Sequence, residues 1–528
     1  MVSTSSTPRR KGSAAPAPDA LAPAFAGDAL IRPAAEIIDR GVVLARLTEA
    51  AENVEREDLK PAAAKILRDA LTKGHAAIRE AFERRPLSGG PVARSIAYLT
   101  DEIVRLVVEF GLRWLHPLHN PTAGERLTVI AVGGYGRFEM APFSDVDLLF
   151  LTPWKKTAWV ESMVESTLYM LWDLKLKVGH SVRTVDDCLR QARDDFTVRT
   201  ALLEKRFISG DLEMQEELDQ RLWDELFEKT GPEFVEAKLE ERAERHRRQG
   251  GSRYLLEPNV KESKGGLRDM QTLFWIAKYL YHVNSTKELV QKGVFDEDER
   301  KIFSAAEEFL WTVRCHLHYI AGRANEHLTF DQQVEVARRM GFKDSDGQQA
   351  VERFMQKYFL HAKDVGELTR IFLAALEASH VKKRPGIGAL MRAFSFGKRR
   401  GDGLFKLQDG RLALVEEDCF EQDPLNILRL FDEALRSGAL IHPTALRKIA
   451  GSLELVDDDL RADPAANRVF LSLLLGHSNP ERALRRMNET GFLGAFIPEF
   501  GRIVSMMQFN MYHHYTAVSY THLRAHET

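Results

Sequence analysis

Cysteine is nearly absent from this sequence: Cys188, Cys315 and Cys419 are the only three among 528 residues. An odd, widely spaced set excludes a disulfide framework and a CxxC zinc site, and it fits a reducing cytoplasm. Long apolar runs are missing too; none approaches the roughly 18 residues of a membrane span. Arg9, Arg10 and Lys11 are followed by no apolar core, so no secretory signal is expected. Charge of one sign is also lacking. With 74 Lys and Arg against 77 Asp and Glu, the net charge of −3 speaks against a general nucleic-acid binder. No GxxxxGK(S/T) loop occurs, which excludes a Walker A phosphate site. What remains is 44% apolar and 29% charged, an ordinary globular composition, long enough for about two to four domains.

One stretch stands out, VIAVGGYGRFEMAPFSDVDLLFLT, from Val129 to Thr152. The apolar run Val129 to Val132 predicts a buried strand, and Gly133, Gly134 and Gly136 allow backbone amides to approach a ligand closely. Asp145 and Asp147 open a second apolar strand. Side chains alternate along a strand, so the two carboxylates share a face, roughly 7 Å apart. Their charge is costly there unless offset, and divalent cations offset it well, while glycine-lined amides suit phosphates. A lone Asp-x-Asp or glycine pair usually marks a turn. The order strand, Gly-Gly, spacer, Asp-x-Asp, strand argues instead for a metal-and-phosphate site.

This arrangement resembles the DNA polymerase β-type nucleotidyltransferase superfamily, and GGYGR…SDVDLL is similar to the bifunctional PII uridylyltransferase/uridylyl-removing family. The resemblance implies an α+β fold, a polymerase β-like nucleotidyltransferase domain followed by mostly helical domains. It implies transfer of UMP from UTP to a tyrosine of the nitrogen regulatory protein PII, with Mg²⁺ or Mn²⁺ held by Asp145 and Asp147. Gly133, Gly134 and Gly136 would contact the nucleotide, with Arg137 and Ser144 as phosphate ligands. Nothing in the glycine motif distinguishes uracil from adenine, so a transferase using ATP or another acceptor stays open, as does a non-catalytic PII-binding protein.

Along the chain, residues 1–33 read as a Ser-, Pro- and Ala-rich disordered leader. Residues 34–220 read as the nucleotidyltransferase domain with N-terminal helices, interrupted at Pro86 to Gly90. A helix is predicted over Val92 to Leu115, another over Ala158 to Leu176, and a third strand over Val178 to Thr184. His180 in that strand reads as a packed residue or a nucleotide contact. A third carboxylate is expected to join such a site. Asp186, Asp187, Asp194 and Asp195 look like helix starts and solvated residues. Glu204, flanked by apolar residues, is the favoured acid; its alternative is an ion pair with Lys205 or Arg206.

Residues 221–380 read as a helical domain of the PII uridylyltransferase type. Phe234 to Arg248 alternates acid and base and predicts a solvated helix face. In YLLEPNVKESKGGLRDMQ, Lys261, Lys264 and Arg268 surround Gly265-Gly266 at a helix start, a plausible anion site. The segment is similar to the family's EPN-K-GGLRD loop, which implies closure over the triphosphate or support of a domain junction. His316 and His318, two apart on a helix, point to different faces and do not read as a metal pair.

Residues 381–516 begin with basic, glycine-rich KKRPGIG and SFGKRRGDG. FKLQDGRLAL then signals a hairpin around Asp409-Gly410. The family resemblance makes this the incomplete start of a phosphohydrolase module. That chemistry needs a His-Asp dyad, and none of the 17 histidines precedes an aspartate, so uridylyl removal is expected to be absent in this chain. His513, His514, His522 and His526 lack acidic partners. Residues 517–528 depart from the family pattern and read as a non-native tail on a C-terminally truncated chain. Glutamine is expected as an effector only in full-length family members, through ACT domains.

Overall fold

The computed structural model describes residues 30–503, apart from 119–121, 251–252, 284, 346, 382–402, 409–410 and 477–479. The expected leader, linker, hairpin turn and tail, with its histidines, lie wholly or mostly outside the described residues.

The architecture is α+β, as expected. Helices α1 (Ala34–Ile37), α2 (Arg40–Asn53), α3 (Leu59–Arg84) and α4 (Gly89–Phe110) precede the sheet. The last of these starts three residues earlier than Val92 and ends in a π turn, Gly111–Leu115. It starts early because the Gly89 amide donates to Thr312 Oγ1 at 3.0 Å and the Gly90 amide to Glu308 Oε1 at 3.0 Å. These bonds satisfy donors that a helix start leaves unpaired.

Strand β1 (Thr128–Ala131), the short turn α5 (Gly133–Gly136), β2 (Val146–Thr152), α6 (Ala158–Asp173) and β3 (Val178–Thr184) follow. Then come α7 (Val185–Asp194), α8 (Phe196–Leu203), β4 (Arg206–Gly210) and α9 (Leu212–Glu225). The sheet order is β3-β2-β1-β4, with β1 antiparallel to both β2 and β4, and β2 parallel to β3. The parallel pair requires a crossover, which α6 supplies. Period-two alternation divides the sheet between two cores. Val129, Ala131, Leu148 and Phe150 pack with α3, α4 and α6. Ile130, Leu149 and Leu151 pack with α7, α8 and α9.

Local caps fix the starts of these helices. Thr184 and Asp187 form a reciprocal capping box on α7, and Asp195 caps α8. Those acids are thereby committed to helix ends, as their sequence context predicts.

The helical region comprises α10 (Gly231–Arg248), α11 (Leu267–Tyr281), α12 (Thr286–Gln291), α13 (Glu297–Ala321), α14 (Phe330–Arg339) and α15 (Ala350–Val381). Helix α10 is not simply solvated. Phe234 and Lys238 are buried, and Arg242, Arg245 and His246 converge on Asp269, which is fully buried at the start of α11. Only Arg247 and Arg248 of the basic cluster remain exposed.

Beyond it, β5 (Phe405–Gln408) and β6 (Arg411–Leu414) form the predicted antiparallel hairpin, and β7 (Leu440–Ile441) adds in parallel. Helices around a separate core of Phe420, Phe431, Ile449, Met487 and Phe492 complete this part. Arg447 reaches back to Glu299 of α13 at 2.8 Å.

Candidate active site

The glycine turn is built by its own hydrogen bonds. The Gly136 amide donates to Val132 O at 3.0 Å and the Arg137 amide to Gly133 O at 3.1 Å, so the amides of Gly133 and Gly134 stand outside that ladder. Gly133 has φ +61°, a conformation that side chains resist. Its position lies 3.5 Å from Asp147 Oδ2, measured from where a Cβ would stand. Gly133 therefore sits against the second aspartate.

Gly136 does something else. It is buried, and a Cβ there would overlap the carbonyl of Glu204. Its amide is used within the turn, so its place in the structure is close packing against the residues entering β4, not the backbone contact to nucleotide that the sequence predicts.

Asp145 immediately precedes β2 and Asp147 is its second residue; both reach solvent and flank buried Val146, but the Asp147 carboxylate lies against Gly133 and Gly179. Partial burial, and then the charge of Asp145, raise the Asp147 carboxyl above its ordinary range, with Lys261 pulling the other way. Lys261 is thus close enough for its charge to act on Asp147. Its own ammonium is shifted down by burial and by Arg314 and Arg268. Ser144 closes the turn before the pair: its Oγ accepts from the Ala141 amide at 3.0 Å, and its amide donates to Ala141 O at 3.0 Å.

Sequence reasoning missed Gly179. In the parallel β2/β3 ladder Asp147 is opposite Gly179, and a Cβ on Gly179 would overlap Asp147 Oδ1. The missing side chain makes room for the carboxylate. A glycine inside a strand pattern marks such a close approach, and this was the available signal. His180, the next residue, belongs to the other face. It is exposed with its ring 6.3 Å from Trp172 of α6, neither packed in a core nor beside Asp147.

Glu204 and Arg137 correct two expectations together. They form an ion pair with each other, and Arg137 also bonds Glu139 at 3.0 Å. Glu204 is buried, and that burial raises its pKa while Arg137 lowers it. Neither neighbour named as its alternative partner is used: Lys205 pairs with Asp219 and Arg206 with Asp101. Among the described residues, no group of three or more His, Cys, Asp or Glu gathers to hold a metal. The third acid is therefore not brought to the aspartate pair, because its backbone abuts Gly136 and its carboxylate is held by Arg137. That guanidinium, already between two carboxylates, is in turn no open phosphate ligand.

The loop before α11 has two uses. Asn259 Oδ1 accepts from the amides of Lys261 and Glu262 at 3.0 and 2.8 Å, which shapes the turn carrying Lys261. Gly265 N donates to Asp269 Oδ2 at 2.9 Å, which ties the loop to the α10/α11 junction. Burial and then the charges of Arg253 and Arg242 lower the pKa of Lys264, and Glu489 opposes them. Arg268 pairs with Glu262 at 3.5 Å and lies 5.3 Å over Trp275, whose other neighbours include Arg137 and Lys238. Trp275 was also missed, and no local signal marks it.

The structure thus brings together a glycine turn, two carboxylates at the start of β2 and the charge of Lys261. The family model described as GlnD PII-uridylyltransferase matches residues 233–373, and that of the uridylyltransferase GlnD third domain matches residues 405–496. The bifunctional uridylyltransferase/uridylyl-removing enzyme of Cereibacter sphaeroides is 55% identical over 512 residues, 96% of this chain. The chain belongs to this family. Its namesake from Ruegeria pomeroyi is 57% identical over 486 residues, 92% of the chain. The chain spans about half the length of these GlnD-family relatives, 54% and 53% respectively. Among the described residues no helix is long and apolar enough to cross a membrane.

Proposed function

We propose that the chain is the transferase of this family, moving UMP from UTP to a tyrosine hydroxyl of PII and releasing pyrophosphate. The observation that carries the reading is Asp147 beside Gly133, two residues from Asp145, with Gly179 leaving room for its carboxylate. The tyrosine oxygen attacks the α-phosphorus, and the bond from that phosphorus to the bridging oxygen breaks as pyrophosphate leaves. A divalent cation, Mg²⁺ or Mn²⁺, fits the two carboxylates, one of which has a pKa raised by burial and by the charge of the other. When bound there it neutralises phosphate charge and lowers the pKa of the attacking hydroxyl, which for a free phenol is about 10.

The protein's own groups supply position. Gly133 and Gly134 offer amides at the phosphates, Lys261 adds positive charge, and Ser144 holds the turn that delivers Asp145. Arg137 and Glu204 brace the glycine turn rather than exchange protons with substrate. Three buried free thiols suit a cytoplasmic setting.

The test is incubation with PII, Mg²⁺ and α-labelled UTP or ATP. Label on PII from UTP alone is expected. Label from ATP overturns the nucleotide, and tight PII binding without label favours a docking protein.

Gly179→Ala tests the geometry. It is expected to lower transfer by about 100-fold, because a misplacement of about 1 Å costs that much. Circular dichroism should show an intact fold, since Gly179 is exposed and its backbone is not in the left-handed region. Wild-type transfer by the variant would mean that Asp147 needs no such room.

A further inference from the structure

A second cavity, of about 520 Å³, opens away from the aspartate pair between α13, α14 and α15. Ligand sites commonly occupy roughly 300–1,000 Å³. One part of its lining is aromatic: Phe309, Phe342 and His361, with the Phe309 and His361 rings 4.6 Å apart. Another is cationic: Lys343, Arg353 and Lys357. Lys357 Nζ lies 5.7 Å over the Phe309 ring, and among the described residues none of the three cations makes an ion pair with a carboxylate.

His361 Nδ1 is buried without a hydrogen-bond partner, 3.8 Å from the nearest Asp364 oxygen. Burial pushes this imidazole down to about 4, so it enters the lining as a neutral ring with an unused nitrogen. Glu308 adds one carboxylate, whose Oε1 already accepts from Gly90.

The cavity is separate from the proposed catalytic pair. His318 Nδ1 reaches the backbone amide of Phe143, two residues before Asp145, at 3.4 Å. Glu308 is ten positions earlier on the same helix, about 15 Å along its axis.

We infer that this cavity is a second ligand site, taking a planar ring that carries phosphate, the chemistry of a nucleoside phosphate. The aromatic lining stacks the ring and the neighbouring cations take a group bearing more than one negative charge. Glu308 provides an acceptor for a base N–H, and the unused His361 nitrogen a further polar contact. Three cations exceed what a single carboxylate needs, which favours phosphate over a simple organic acid.

The experiment is calorimetric titration of the whole chain with AMP and with UMP in EDTA, with inorganic phosphate as the ring-free probe. One nucleotide at least is expected to bind at a single site, more tightly than phosphate. Lys357→Glu and Lys343→Glu should each weaken that binding at least about 10-fold; both side chains are exposed, so the fold persists, as thermal melting would verify. Asp147→Asn should leave it unchanged. Absence of nucleotide binding, equal binding of phosphate, indifference to both lysine variants, or loss in Asp147→Asn overturns the site. PII labelling is read separately, so failure here leaves the transferase reading to its own test.

Discussion

Asp147→Asn is expected to reduce transfer to PII by about 1,000-fold or more while leaving the protein at least as stable as wild type at neutral pH. The activity loss follows from removing one of two carboxylates that hold charge at the reacting phosphate; single electrostatic contacts of this kind are worth about 100- to 1,000-fold. The stability result follows from the raised pKa. Burial and Asp145 make ionised Asp147 unfavourable in the folded chain, so the folded state binds its proton more tightly than the unfolded state does. That advantage is complete below the unfolded value near 3.8 and is lost as pH rises through the higher folded value. At neutral pH the wild type therefore carries the repulsion, and Asn removes it. A thermal melt with and without Mg²⁺ separates the two effects: cation should raise the wild-type melting temperature and leave the variant's unchanged. Retained transfer, or a Mg²⁺ shift that survives the substitution, would refute the metal role.

What could be read without coordinates was local. Strand β3 was predicted over its observed bounds, because Val178 to Thr184 has strand composition and ends at a capping threonine. The β1-glycine-β2 order was legible for the same reason. The errors share a different cause: each concerned a partner far away along the chain. Arg137 looks like a phosphate ligand until Glu204 arrives from the entry to β4. Gly179 is one glycine among 35 until the parallel register sets it opposite Asp147. Alternating charge on α10 looks solvated because its counter-ion, Asp269, lies on the next helix. Periodicity reports which face of an element is buried, but not which charge it will meet there.

That hidden counter-ion leads to the largest expected effect on stability. Asp269 is fully buried and accepts from Arg242 Nε at 3.1 Å, Arg245 Nη2 at 2.6 Å, His246 Nε2 at 2.9 Å and the Gly265 amide at 2.9 Å. Burial alone would raise its pKa. The His246 hydrogen bond and the charges of Arg242, His246 and Arg245 overcome that and hold the carboxyl well below its usual range. Asp269→Asn keeps the shape, removes the charge and turns an amide N–H toward donors. Leaving buried cations without their partner costs about 3–5 kcal/mol, measurable as a lower denaturant midpoint. The pH dependence has a fixed sign. A depressed folded pKa contributes stability that is present above the unfolded value, about 3.9, and is lost as pH falls toward the folded one. The gap between wild type and variant should therefore be widest near neutrality and shrink below about pH 4. Because Gly265 hangs on the same carboxylate, the loop carrying Lys261 loses its anchor, so transfer should fall even where the variant remains folded. A variant within about 1 kcal/mol of wild type at neutral pH would show that Asp269 does not hold this junction.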